Sequence, residues 1–256
     1  MTTANVYSMT GEVAGTIEVP EAFGTEYRPD MIKKAVLAAQ ANGRQPYGPG
    51  KMAGMRHSVS TWGKGRGVSR VQRVHDGKKA TESPNNVSGR RAHPPVPERK
   101  WAIKLNKKEL KMARMSAIAA TANADIVKAR GHMFDKEVSF PIVMNDDLQN
   151  ATTVNAVSSA FKSIGIGDDL VRASEGKKIR AGRGTMRNRK YRTPVSVLIV
   201  VSERDAPVFK GAGNLPGVQI ETVDTLSASI LAPGGDVGRL VVYTASAVEQ
   251  IRGWTE

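Results

Sequence analysis

The chain has 256 residues, 40% of them apolar, no cysteine and a formal net charge of +14. That length and apolar fraction suffice for a sizeable core, in one large domain or two small ones, and the missing cysteines exclude a disulfide framework, a thiolate metal site and a cysteine nucleophile. The charge points to a polyanionic partner, either nucleic acid or an acidic membrane surface.

The first ten residues lack the cationic start and apolar run of a signal peptide, and the longest apolar run, Val195 to Val201, is far too short to span a bilayer. A cytoplasmic setting is expected. Ala4 to Ser8 and Gly15 to Val19 predict a hairpin around Thr10-Gly11. Asp30 is placed to cap a helix with an apolar face of Ile32, Val36 and Ala39, closed by Gly43. From Arg44 to Lys100 neither helical nor strand periodicity is found; Gly, Pro, Ser, Arg, Lys and His dominate. A stretch of this length without structure is a functional extension or disordered, and its cations repel one another unless a partner brings anions.

Beyond it, Asn106 and Glu109 have capping-box spacing ahead of a helix presenting Leu110, Ala113, Ala117 and Ile118. A further helix places Val154, Val157, Phe161 and Ile164 on one side and ends at Gly165. The apolar runs Phe140 to Met144, Val195 to Val201, Val218 to Val223 and Leu240 to Tyr243 fit strands buried on both faces. The expected fold is α/β: a mostly parallel sheet covered by helices and interrupted by a long basic extended loop. The domain would comprise residues 1–43 and 101–256, with the loop at 44–100 inserted in it.

The charge is concentrated. Residues 44–114 hold 18 Lys and Arg against four Asp and Glu, a balance of +14, and residues 172–192 hold nine against one, a balance of +8. The remainder holds 11 against 19, or −8. Glycines and the aromatic rings of Trp62, Trp101 and Tyr191 interleave with these cations. Arg and Lys neutralise phosphates, glycines let backbone approach backbone, and planar groups stack on unpaired bases, so the combination suits RNA. Neither segment carries the amphipathic helix that a membrane surface requires, nor the helix-turn-helix that duplex DNA would use. No membrane partner is expected.

Enzyme chemistry finds little support. Gly63, Gly65 and Gly67 have the wrong spacing for a dinucleotide turn and no strand before them, while Gly182 and Gly184 precede a strand instead of following one. No P-loop or serine-nucleophile elbow is present. His57, His75, His93 and His132 are scattered, so no metal site is expected. Asp146-Asp147 and Asp168-Asp169 read as caps and turns in preference to an acid/base dyad. The runner-up reading, drawn from the α/β pattern and the two G-x-G runs, is a nucleotide-dependent enzyme on a doubly wound sheet.

Three motifs, "STWGKGRGVSRVQRVHDG" (60–77), "GRRAHPP" (89–95) and "IRAGRGTMRNRKYR" (179–192), occur in that order on an α/β body. In this the chain resembles the large-subunit ribosomal protein L4 family, in its archaeal and eukaryotic branch, over nearly its whole length. It does not carry the long C-terminal extension of eukaryotic members, so an archaeal source is expected. The resemblance implies a globular domain on the outer side of the large ribosomal subunit and a loop threading inward through ribosomal RNA. The loop tip, Trp62, Gly63, Lys64, Gly65, Arg66, Gly67 and Arg70, would help line the exit tunnel of the nascent chain. RNA contacts are expected from Arg44, Lys51, Arg56, Trp62, Lys64, Arg66, Arg70, Arg73, Lys78, Lys79, Arg90, Arg91, His93, Arg99, Lys100 and Trp101. A second RNA surface would comprise Lys177, Lys178, Arg180, Arg183, Arg187, Arg189, Lys190 and Arg192. The implied partners are ribosomal RNA, neighbouring large-subunit proteins and the nascent chain; no catalytic residue or cofactor is implied.

Overall fold

The computed structural model describes residues 3–87 and 89–254. Residues 1, 2, 88, 255 and 256, which fall inside the expected domain and loop spans, lie outside the described residues. The chain divides into two compact units, residues 1–40 with 104–256, and residues 41–103. In chain order the first unit begins with β1 (Thr3–Tyr7), β2 (Val13–Glu18) and α1 (Pro29–Asn42), whose last two residues belong to the second. The second unit has two short strands, β3 (Val59–Ser60) and β4 (Arg73–Val74). The first unit resumes with α2 (Lys107–Thr121), α3 (Ala124–Ala129), β5 (Ile142–Met144), α4 (Val154–Ile164) and α5 (Gly167–Glu175). A small hairpin of β6 (Lys178–Ile179) and β7 (Tyr191–Arg192) follows. The chain then runs through β8 (Leu198–Val201), α6 (Val208–Ala212), β9 (Gln219–Thr222), α7 (Ala228–Leu231), β10 (Val241–Thr244) and α8 (Ala245–Arg252).

Six strands form one sheet in the order β2-β1-β5-β10-β8-β9. All neighbours are parallel except the β1–β2 hairpin at one edge. Successive residues of a strand point to opposite faces, and this period sorts the apolar runs into two cores. Val143, Leu198, Val200, Val241 and Tyr243 face one side and pack with Ile32 and Val36 of α1, Ile118 of α2 and Val248 and Ile251 of α8. Ile142, Met144, Ile199, Val201 and Val242 face the other and pack with Val157, Phe161 and Ile164 of α4 and Leu170 of α5. Two-sided burial is why β5, β8 and β10 are apolar almost throughout. β9, at the edge, is only half-buried and carries Gln219 and Glu221 accordingly.

The three expected helices form as α1, α2 and α4, with local differences. α4 is capped by the Thr153 hydroxyl and closed by Gly165 in the left-handed region, where the Ile166 amide donates to the Phe161 carbonyl and that of Gly165 to Lys162. In α1, Asp30 lies inside the first turn and pairs with Arg28, and the buried face uses Ala35 and Ala38 where Ala39 was expected. Asn106 precedes α2 without a side-chain cap, and Glu109 lies 3.0 Å from Lys34. Leu110 stays 44% exposed.

Two buried polar groups knit the layers together. Thr121 donates its one hydroxyl hydrogen to the Ile118 carbonyl, so Tyr243 must donate to Thr121, 2.9 Å away, while its ring meets Phe23 edge-on. On the other side Asp169, in the first turn of α5, is fully buried. One carboxylate oxygen accepts from His132 Nδ1 (3.1 Å), the Met133 amide (3.0 Å) and Arg172 Nε (2.9 Å); the other accepts from Ser196 Oγ (2.6 Å) and Arg172 Nη2 (3.2 Å). Burial alone would push this carboxyl up. The bonds from His132, Arg172 and Ser196 outweigh it and hold the group well below the usual carboxylate range.

A carboxyl depressed in the folded state contributes stability that is complete above its unfolded value near 3.8 and is lost as pH falls through the folded one. Asp169→Asn is expected to lose about 3 kcal/mol at neutral pH, because Arg172 loses its charge partner. Urea unfolding should then show a flatter decline for the variant than for the parent between about pH 5 and pH 2. Parallel declines would contradict this account of the buried pair.

Candidate nucleic-acid interface

Residues 41–103 consist mainly of two limbs held side by side. At the base, the Asn42 side chain donates to the Ile103 carbonyl (3.2 Å) and accepts from the Ile103 amide (2.8 Å), while the Arg44 guanidinium lies 4.7 Å over the Trp101 ring. Farther along, Lys51 meets Glu98 at 3.8 Å, and Gly54 packs so closely on Arg90 that a Cβ would come within 2.9 Å of its Cα. β3 pairs antiparallel with β4, and a turn through Gly77 brings Ala80 back beside Arg73. The limbs are thus paired by polar, backbone and cation–π contacts, and among the described residues no apolar core cluster is drawn from them.

Between β3 and β4 lies the glycine-rich turn. Gly63, Gly65 and Gly67 all have φ between +64° and +80°, a region that side chains disfavour, and among the described residues, chain neighbours aside, nothing lies within 4 Å of where a Cβ would be. The glycines therefore answer a backbone requirement and leave the turn bare. Lys64, Arg66 and Arg70 are exposed on it. Trp62 is half-buried, flanked by Arg73 at 5.1 Å and Arg66 at 5.9 Å.

Arg73 differs from its neighbours. It is half-buried, and its guanidinium donates to the Lys78 carbonyl (2.8 Å) and the Ser69 hydroxyl (3.1 Å), so it braces the turn from within. Arg44, Lys51, Arg56, Lys78, Lys79, Arg91, His93, Arg99 and Lys100 are exposed; Arg90 and Trp101 are half-buried in the limb contacts. Among the described residues, the Lys51–Glu98 contact is the only ion pair of this unit.

The second basic segment is a hairpin of the first unit. β6 and β7 pair over two residues, a 3-10 turn spans Gly182–Arg187, and Asn188 turns the chain in the left-handed region. The Arg180 amide donates to the Lys190 carbonyl at 2.7 Å, and its guanidinium reaches the Arg189 carbonyl at 3.1 Å. The Lys177 and Lys190 ammonium groups lie 4.8 and 5.5 Å from the Tyr191 ring. Lys177, Lys178, Arg180, Arg183, Arg187, Arg189, Lys190 and Arg192 are all exposed, and among the described residues none of them forms an ion pair. A cationic surface without internal counter-ions has its anions to gain from outside.

A nucleotide enzyme on an open parallel sheet would bind its ligand outside the carboxyl ends of the strands. There, beyond β5, β8 and β10, the space is closed by side chains. Asp146 accepts from the Ser246 amide (3.1 Å), the Ser246 hydroxyl (2.7 Å) and Gln149 (3.1 Å), while Ser202 donates to Gln149 (3.0 Å). Asp146 thereby serves the turn role expected of it. Among the described residues no group of three or more metal-binding side chains is gathered.

Sequence reasoning missed the node at the root of the hairpin. Asp169 and Arg172 carry the three-residue spacing of a helical ion pair, but His132 and Ser196, which complete the node, are brought in by the fold from 37 and 27 residues away.

Comparison with known proteins agrees with the motif reading. Residues 17–254 match the model of the ribosomal protein L4/L1 family. The "large ribosomal subunit protein uL4" of Methanococcoides burtonii is 49% identical over 253 residues, 99% of each chain. That of Archaeoglobus fulgidus is 49% identical over 98% of each chain, and that of Methanosphaera stadtmanae 44% identical over 98% of this chain and 96% of its own. A family model spanning nearly the whole chain, with relatives of equal length at this identity, leaves one conclusion: the chain belongs to the ribosomal protein L4/L1 family.

Proposed function

We propose that the protein is a structural component of the large ribosomal subunit in the archaeal cytoplasm, bound to ribosomal RNA through residues 44–100 and through the hairpin of residues 177–192. The observation that carries this reading is the pair of strongly basic segments, in which, among the described residues, the one internal ion pair is Lys51–Glu98 within the first. Its family is one of ribosomal proteins, not of enzymes, and no helix among the described residues is long and apolar enough to cross a membrane.

In this reading residues 44–100 are a long basic loop that penetrates RNA. Paired limbs without an apolar core suit a slender extension whose neighbours are phosphates and sugars. Exposed Lys64, Arg66 and Arg70 neutralise phosphate, and Trp62 offers a ring face for stacking. Arg73 holds the turn that presents them. The bare glycines Gly63, Gly65 and Gly67 allow close approach of a wall, which supports placing this turn at the nascent-chain tunnel. On the hairpin, the eight exposed cations form the second RNA surface, with two ammonium groups near the Tyr191 ring. Neighbouring ribosomal proteins meet the remaining surface of the first unit.

Binding to large-subunit ribosomal RNA should weaken steeply with salt, the logarithmic slope being on the order of −0.7 to −0.9 per phosphate neutralised. Replacing Arg183, Arg187 and Arg189 together by Ala is expected to reduce that slope by about 2, as read by filter binding across a salt series; an unchanged slope removes the hairpin from the interface. Residues 44–100 are expected to be cut readily by trypsin in the free protein and protected in the subunit. Equal cleavage in the two states would refute the penetrating loop.

A further inference from the structure

We propose that Arg172, acting with Asp169, is a positioning residue that fixes the hairpin of residues 177–192 in its RNA-binding orientation and is not itself a phosphate contact. The inference rests on the reading of that hairpin as an RNA surface.

The hairpin cannot set its own direction. Its ladder is two residue pairs long, its residues are exposed or at most half-buried, and a ribbon of that size is not stable in water by itself. Its orientation has to come from where its two limbs leave the body. The outgoing limb leaves α5 at Gly176, and the returning limb enters β8 through Pro194, Val195 and Ser196.

At that point Asp169, Arg172 and Gly176, spaced to lie along one side of α5 and its end, each meet the returning limb. Asp169 accepts from the Ser196 hydroxyl at 2.6 Å. Arg172 donates to the Val195 carbonyl at 2.8 Å while its Nε and Nη2 hold Asp169. Gly176 packs on the Pro194 ring so closely that no Cβ would fit. The two limbs are joined by a clamp whose anchor, Asp169, is fully buried and is itself held by His132 and the Met133 amide.

By residue type Arg172 counts among the nine cations of the segment, yet its charge is already matched by Asp169 and its side chain is 23% exposed. A flat guanidinium can hold a carboxylate with two nitrogens and still reach a carbonyl; an ammonium at the end of a flexible stem cannot do both in that geometry. Arg172→Lys therefore keeps the charge and the pairing with Asp169 while releasing the Val195 carbonyl.

In the full-length Arg172→Lys protein, hydrogen exchange should quicken selectively over residues 177–195. Affinity for purified large-subunit ribosomal RNA should fall about tenfold at fixed salt, since the hairpin is no longer pre-organised. The salt slope should stay that of the parent, because the number of phosphates neutralised is unchanged. In Arg172→Gln, which removes the charge, the slope should also stay that of the parent; a slope lowered there by about 0.7 to 0.9 would make Arg172 a direct contact and overturn the proposal. So would unaltered exchange, or a rise spread equally over β8 and β10. If the alanine variant at Arg183, Arg187 and Arg189 keeps the parental affinity and slope, the RNA reading of the hairpin fails instead, and the exchange pattern of Arg172→Lys still reports separately on the clamp.

Discussion

Burial of the parallel strands on both faces is the constraint from which the rest of the structure follows. A strand such as Leu198–Val201 has no side left for a charge, so its residues divide between two cores and each core demands its own layer of helices. Charged groups that enter this body do so only with partners in place, as Asp169 does with His132, Arg172 and Ser196. Surplus cations have no place in such an interior. They are carried on two excursions from the chain, one between α1 and α2 and one between α5 and β8.

The two excursions solve the same electrostatic problem with different mechanics. Residues 41–103 hold their limbs together along their length, with an amide–backbone pair at the base, a cation on Trp101, and the β3–β4 pairing near the turn. Residues 177–192 are too short for that and depend on their root, where Arg172, Asp169 and Gly176 grip the returning chain. In both, the arginines divide their labour. Arg73 and Arg172 are spent on internal hydrogen bonds, whereas Arg66, Arg70, Arg183 and Arg187 stand exposed and, among the described residues, form no ion pair. Equal residue type conceals unequal roles.

The same economy explains the closed end of the sheet. Asp146, Gln149, Ser202 and Ser246 consume one another's hydrogen-bonding capacity where an α/β enzyme would leave a crevice. The α/β pattern that made a nucleotide enzyme the runner-up is a pattern of burial, and burial says nothing of what fills the carboxyl ends of strands.

By itself the sequence determined the mixed α/β class, the position of four strands, three of them buried on both faces as expected, the α4 boundaries at Thr153 and Gly165, and the concentration of charge in two segments. These are local quantities: period, composition and turn chemistry are written in neighbouring residues. The motif order also sufficed for the family. Only the tertiary structure decided the strand order, the exposure of Leu110, the transfer of Glu109 from a cap to Lys34, and the withdrawal of Arg73 and Arg172 from the exposed cations. Each depends on a group distant in sequence or on a backbone carbonyl that a turn happens to present, and no local pattern records which atom will stand 3 Å from a guanidinium once the chain has closed.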